Sequence, residues 1–261
     1  MTYLFRPGAS VVTDSNVARV YQPSGAGNGL LNNLVYFLGS DEAGGANNAL
    51  DKHVNALTFT QRNAPGAGGG LVYPTARTFN GTNQMFDRAS EALLNVGNND
   101  CTMTVWIYPT AYPAPASTNV FYHKWLVSLS WLLTLNPGGV IQTQLSANGA
   151  AASIILASVA TAPLNAWSFV ALTYEFNSNT AALYVDANLP VQGNPTAPGI
   201  FAGTSYVGVG AYTTAALRFA GRIGPTMFWK SAPGLGGALD ATKRTALYNA
   251  GAGLSYAAFT L

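Results

Sequence analysis

For acid–base or metal chemistry this 261-residue chain has ten acidic residues, two histidines and one cysteine. Retaining glycoside hydrolysis needs two carboxyl groups about 5–5.5 Å apart, one as nucleophile and one as acid. Asp41 and Glu42 are adjacent in sequence, and alternation along an extended chain sends neighbouring side chains to opposite faces. Glu175 and Asp186 lie across one hairpin and could approach, yet both fall at strand ends beside turns, where solvated carboxylates belong. His53 and His123 would have to serve any Ser or Cys nucleophile. Neither stands near a nucleophile elbow, and Gly-x-Ser-x-Gly does not occur. Cys101 and two distant histidines cannot supply a tetrahedral zinc set. Calcium asks for six to eight oxygens; Asp41 and Asp186 are the candidate ligands, although a residue placed like Asp186 more often only shapes its turn, and no calcium site is expected. The expectation is no catalytic residue, no metal and no cofactor.

Sugar binding asks for different residues: aromatic faces to stack on pyranose rings and a few fixed polar groups beside them. The candidates are Tyr122, His123, Trp125, Trp131, Tyr212 and Arg218, with Lys124 and the loop from Tyr108-Pro109 to Tyr112-Pro113 nearby. Trp125 and Trp131 flank an apolar stretch, so core or sheet edge is the favoured reading for them over sugar contact. Trp106, Trp167 and Trp229 fall inside strand patterns and are read as core. The Tyr-Pro loop can also be a stiff connection, its prolines reducing loop entropy.

The elements that must position these residues are short runs of Val, Ile, Leu, Thr, Phe and Tyr cut by Gly, Pro and Asn from Leu30 onward, the pattern of an all-β sandwich or barrel. One hairpin runs from Trp167 to Tyr174, turns at Asn177-Ser178-Asn179 and returns through Ala181–Asp186. Period two puts Trp167, Phe169, Ala171 and Thr173 on one face and Val170, Leu172 and Tyr174 on the other. Both faces are apolar, so this strand belongs inside a covered sheet. A second hairpin joins Trp131–Leu135 to Val140–Leu145 through Asn136-Pro137-Gly138-Gly139, and its Gln142 and Gln144 mark a half-solvated face. Further strands are expected at Leu34–Leu38, Thr102–Tyr108, Ser153–Ala157, Tyr206–Gly210 and Phe219–Trp229, the last interrupted at Gly224-Pro225. A single helix follows Asp240 as N-cap, with Gly251 as left-handed C-terminal cap.

Residues 1–29 read as an extended arm that ends in the joint Ser24-Gly25-Ala26-Gly27-Asn28-Gly29, and residues 30–261 as one domain. Tyr3, Leu4, Phe5, Val11 and Val12 would lay strand on a neighbouring subunit or fold back to cover an edge of their own sandwich. Composition sets the limits on partners. Charged residues make up 8% of the chain, net charge is +2 and mean hydropathy is positive, which excludes disorder and offers no basic field for nucleic acid. A surface of Gly, Ala, Ser, Thr, Asn and Tyr is cheap to desolvate, as in an assembly or a glycan-rich setting, and is equally a neutral solvated surface. No run of about 20 apolar residues could span a bilayer. The first seven residues lack the charged and apolar regions of a signal peptide, so synthesis and folding in a cytoplasm are expected unless a leader was removed.

Three groups of segments resemble the laminin-G-like, concanavalin A-like jelly-roll domains. They are Leu34–Leu38 with Asp41-Glu42-Ala43 and Ala76–Gln84; Asp100–Pro109 with Trp167–Tyr174 and Leu183–Asp186; and Phe219–Ile223 with Phe228-Trp229-Lys230 and Arg244–Asn249. In order and spacing they cover roughly residues 30–257. The resemblance implies two antiparallel sheets packed face to face, one of them curved, with rim loops that bind sugars, proteins or calcium in various members; with the helix read from its caps, the expected fold is an all-β jelly-roll sandwich with one short C-terminal helix. The Glu-x-Asp-x-x-Glu strand of glycosidases in this class is missing. Gly-Pro also follows Gly221-Arg222-Ile223, where the resemblance leads one to expect a calcium-binding acid. Domains of this type occur as lectin-like modules, as attachments to secreted enzymes and as parts of phage particles. The expectation is therefore a non-enzymatic structural or decoration protein of a bacteriophage virion, oligomeric in its assembly, whose partners are other virion proteins or its own copies and cell-surface glycan. The alternative is a free carbohydrate-binding lectin.

Overall fold

A computed structural model describes residues 27–261, together with the backbone of two short antiparallel strands, Val12–Asp14 and Val17–Arg19. Tyr3, Leu4, Phe5 and Val11 of the expected arm lie outside the described residues, and Val12 opens the first of those strands.

Two sheets pack face to face. The ten-stranded sheet runs in the order Ile154–Thr161, Val140–Leu145, Leu129–Leu135, Asn119–Trp125, Val207–Val209, Met85–Arg88, Thr58–Arg62, Ala49–Leu50, with Ala211–Thr213 and Ala216–Arg218 attached beside Asn119–Trp125. The eight-stranded sheet runs Val191–Gly193, Thr180–Val185, Ser168–Glu175, Asp100–Pro109, Ala220–Ser231, Thr75–Asn80, Gly66–Gly69, and Leu34–Leu38 pairs with the second half of Ala220–Ser231. Pairing is antiparallel throughout except for one parallel bridge between Val120 and Arg218. The expected interruption at Gly224-Pro225 proves to be an irregularity inside one continuous strand. Register against Asp100–Pro109 shifts between Ile223 and Thr226, and the strand exchanges Thr75–Asn80 for Leu34–Leu38 as its other neighbour there. Proline has no N–H to give a ladder, so a bulge is the place for it.

The main core fills the space between the sheets, with Tyr36, Phe59, Phe86, Met103, Phe121, Leu133, Leu172, Phe219 and Phe228 among its residues. A second cluster lies on the outer face of the eight-stranded sheet, where Phe37, Trp106, Phe169, Ala171 and Trp229 are covered by Leu30, Leu247 and Phe259 from the helix and the ends of the domain. The Ser168–Glu175 strand accordingly buries Val170, Leu172 and Tyr174 in the first cluster and Phe169 and Ala171 in the second.

The helix spans Ala241–Tyr248, and the Asp240 side chain accepts the Lys243 N–H at 2.9 Å. Its left-handed cap is Asn249 (φ 47°), two residues earlier than the expected Gly251. Asparagine tolerates that conformation, and Ala250 and Gly251 continue at positive φ. Asn28, read as part of the flexible joint, is tied to the other end of the chain. Its N–H donates to Thr260 Oγ1 at 2.6 Å, its Nδ2 to Ala258 O at 2.9 Å, and its Oδ1 accepts the Thr260 N–H at 3.0 Å.

Candidate functional site

The structure separates the expected sugar-contacting residues. The Asn119–Trp125 strand runs through the middle of the ten-stranded sheet, and a register irregularity between Val120 and Tyr122 turns Tyr122 inward. Tyr122 is fully buried, bonded through its hydroxyl to that of Tyr36, and meets the ring of Trp131 edge-on at 4.6 Å. Trp131 is 1% exposed. Neither can stack on a sugar; both belong to the core because their aromatic area is worth most there. His123 is also removed from any surface role. Its Nδ1 accepts the Trp125 N–H at 3.1 Å, which leaves Nε2 as the N–H that donates to Ala211 O at 3.0 Å. Its ring lies between those of Tyr206 and Tyr212, 5.5 Å from each, in a space that exists because Gly208 has no Cβ to meet Nε2. Burial pushes the imidazole pKa down to about 3, so the ring is neutral.

Trp125 packs with Val120 and Leu132 on the outer face of the ten-stranded sheet and is 8% exposed. Tyr212 packs half-buried against this cluster, and Arg218, also half-buried, lies on the neighbouring short strand. These two remain accessible from the expected set.

The carboxylates are separated as well. Glu175 pairs across its hairpin with Thr180, whereas Val170 pairs with Val185, so Glu175 and Asp186 stand at opposite ends of the hairpin and do not approach. Asp186 (φ 54°) accepts the Phe169 N–H at 2.7 Å, the turn-shaping role. Asp41 pairs with Lys52 at 3.0 Å. Among the described residues no three His, Cys, Asp or Glu side chains converge.

A polar concavity lies elsewhere, where the helix stops covering the eight-stranded sheet. Alternation puts Phe169, Ala171, Thr173 and Glu175 on one face; the first two are buried beneath the helix side of the domain, and the last two lie beyond it. Cross-strand register sets Thr173 beside Ala182 and Ala182 beside Gln192, with Thr180 and Tyr184 on the same face. The opposite wall is the helix N-terminus, with Leu239, Asp240, Ala241 and Arg244. Together these residues enclose a groove of about 270 Å³. Small Ala182 and Ala241 leave the room, the buried Leu239 adds an apolar surface, and the polar side chains supply hydrogen-bonding groups of both kinds.

Most of these groups are already held. Arg244 donates to Leu239 O and its guanidinium lies 4.0 Å over the Tyr184 ring. Glu175 accepts from the Ser178 hydroxyl at 3.2 Å, and Asp240 caps the helix. Thr173 differs. It is 6% exposed and lines the groove, and its hydroxyl has no hydrogen-bond partner among the described residues. The hydroxyl is open to the groove rather than sealed in the core, so whatever fills the groove, water or a ligand, can bond to it. Sequence reasoning noticed Glu175 and Asp240 singly and missed Thr173, Thr180, Tyr184, Gln192 and Arg244 as a set. The available signal was the change from apolar to polar along one face of the Ser168–Glu175 strand.

Residues 80–234, more than half of the chain, match the family described as the concanavalin A-like lectin/glucanases superfamily. The chain belongs to this superfamily. No curated protein matches it. Solved structures with the same fold as this superfamily member include domain 4 of AbnA, an extracellular GH43 arabinanase from Geobacillus stearothermophilus, in complex with arabinotriose. It is 15% identical, with a TM-score of 0.56, over 78% of this chain and 95% of that one. The binding domain of Paraclostridial mosquitocidal protein 1 is 15% identical, with a TM-score of 0.58, over 79% of this chain and 51% of that one. The binding domain of botulinum neurotoxin DC, in complex with SialylT, is 12% identical, with a TM-score of 0.57, over 87% of this chain and 53% of that one. The chain thus spans about half the length of the two toxin domains. At such identities these likenesses establish the fold.

Proposed function

We propose that this chain is a non-catalytic carbohydrate-binding module whose ligand lies in the groove between the outer face of the eight-stranded sheet and the helix N-terminus. The observation that carries the reading is the unpartnered Thr173 hydroxyl on a groove lined by carboxylates, an amide, a guanidinium and a tyrosine. Vicinal sugar hydroxyls donate and accept together, and such a mixed lining serves both roles. Tyr212 and Arg218 on the other sheet are a secondary contact surface in this reading. The neighbours in complex with arabinotriose and with SialylT support sugar as the ligand class. A glycan array probed with the full chain, followed by titration of the best binder, tests it. Thr173→Val should weaken binding about tenfold, the scale of one buried hydrogen bond, and an unchanged affinity would remove the groove from the function.

A second reading places the module in copies on a bacteriophage particle, made in the host cytoplasm and attached to other virion proteins or to itself. One observation favours it: the edge strand Ile154–Thr161 carries no charged residue and exposes Ile155 and Val159, whereas isolated proteins usually protect such an edge with charge. Light scattering on the full chain, with purified virions probed for it, decides the matter. A monomer absent from particles would end this reading.

A further inference from the structure

Resting on the groove as the binding site, we propose that its preferred ligand is a sugar carrying a free protonated amine, of glucosamine type, over N-acetylated and carboxylated sugars. The lining contains two carboxylates, Glu175 and Asp240, against one cation, Arg244. That cation is committed elsewhere: its Nη1 donates to Leu239 O and its guanidinium lies over the Tyr184 ring. Lys243, next in the chain, lies against Gly29 and Gly236 rather than in the groove. The groove therefore presents negative charge to its occupant.

An ammonium brings three donors and no acceptor. The Thr173 hydroxyl, the Gln192 amide oxygen and the second oxygen of each carboxylate, the first being held by Ser178 or by the Lys243 N–H, are the acceptors that line the space. Hydrogen bonds from a charged donor are roughly twice as strong as neutral ones. N-acetylation removes the charge and two of the donors. A sugar carboxylate would face Glu175 and Asp240 with only an occupied guanidinium to offset them, and juxtaposed like charges suppress binding. Glu175 is exposed, so the attraction it provides should weaken with salt.

The test titrates the full chain calorimetrically with a glucosamine tetramer, its fully N-acetylated counterpart, a galacturonic acid tetramer and a glucose tetramer, at low and at high salt. The amine form should bind about tenfold more tightly than the N-acetyl and acidic forms at low salt. Glu175→Gln or high salt should remove most of that advantage. If the N-acetyl or glucose tetramer binds as tightly as the amine, while Thr173→Val still weakens both, the groove stands as the site and the amine preference is wrong. If no sugar binds, or if Thr173→Val and the exposed Gln192→Ala both leave affinity unchanged, the groove itself is not the site and the preference falls with it. Thermal melts of each variant separate loss of binding from loss of fold.

Discussion

His123 shows how a single side chain can be read correctly for chemistry and wrongly for place. Both ring nitrogens are committed, one accepting and one donating, in a space without solvent. A proton on Nδ1 would face the Trp125 N–H. Burial lowers the folded pKa from 6.5 to about 3, so the unfolded chain takes up the proton first. The sign follows: His123 contributes full stability above the unfolded value and loses it as pH falls from 6.5 towards 3. The loss between pH 7 and pH 4 is on the order of 3 kcal/mol. Urea unfolding at both pH values should show this drop in the natural chain and a smaller one in His123→Gln, although the variant starts less stable. Equal pH slopes would refute the assignment. The ring types of Tyr122, His123, Trp125 and Trp131 were legible in the sequence. Their directions were not, because register irregularities between Val120 and Tyr122 and between Lys124 and Trp125 set which residues of that strand face the core.

Among the elements, the helix matters most to the groove. Its Asp240 cap was readable from the residue type and its place before Ala241-Thr242-Lys243, and the structure shows the bond to the Lys243 N–H. Asp240→Ala should cost about 1 kcal/mol, a fall in melting temperature of roughly 2–4 °C for a domain of this size, and should also weaken the groove ligand. A melt unchanged within error would show that the cap is not what starts the helix. The central hairpin was equally legible: alternation of apolar residues placed Ser168–Glu175 inside a covered sheet, where it lies between Thr180–Val185 and Asp100–Pro109. Strands of weaker pattern, such as Gly66–Gly69 and Met85–Arg88, were not separated from loops. Their place is set by their neighbours' free edges, since strand preference reflects packing context more than residue type.

Across the molecule, the two ends of the domain meet. Asn28 is bonded to Ala258 and Thr260, and Leu30 and Phe259 share one cluster. A chain lacking residues 1–26 keeps all of these contacts and should melt within about 2 °C of the full chain, the range of a surface change. A large drop would show that the arm belongs to the core. The same truncation measured by light scattering asks whether the arm holds copies together, because 26 residues can reach up to roughly 90 Å when extended.

Local pattern was enough to establish an all-β sandwich with one capped helix and little charge, because alternation, turn residues and caps act within a few positions along the chain. The segments from Leu34 to Asn249 were enough to point to the superfamily that residues 80–234 match. The groove could not be found that way. Thr173, Gln192 and Arg244 stand far apart in sequence and are brought together by the register of three strands and by the point at which the helix begins. Register depends on which strands pair and which face is buried, and those are properties of the folded whole.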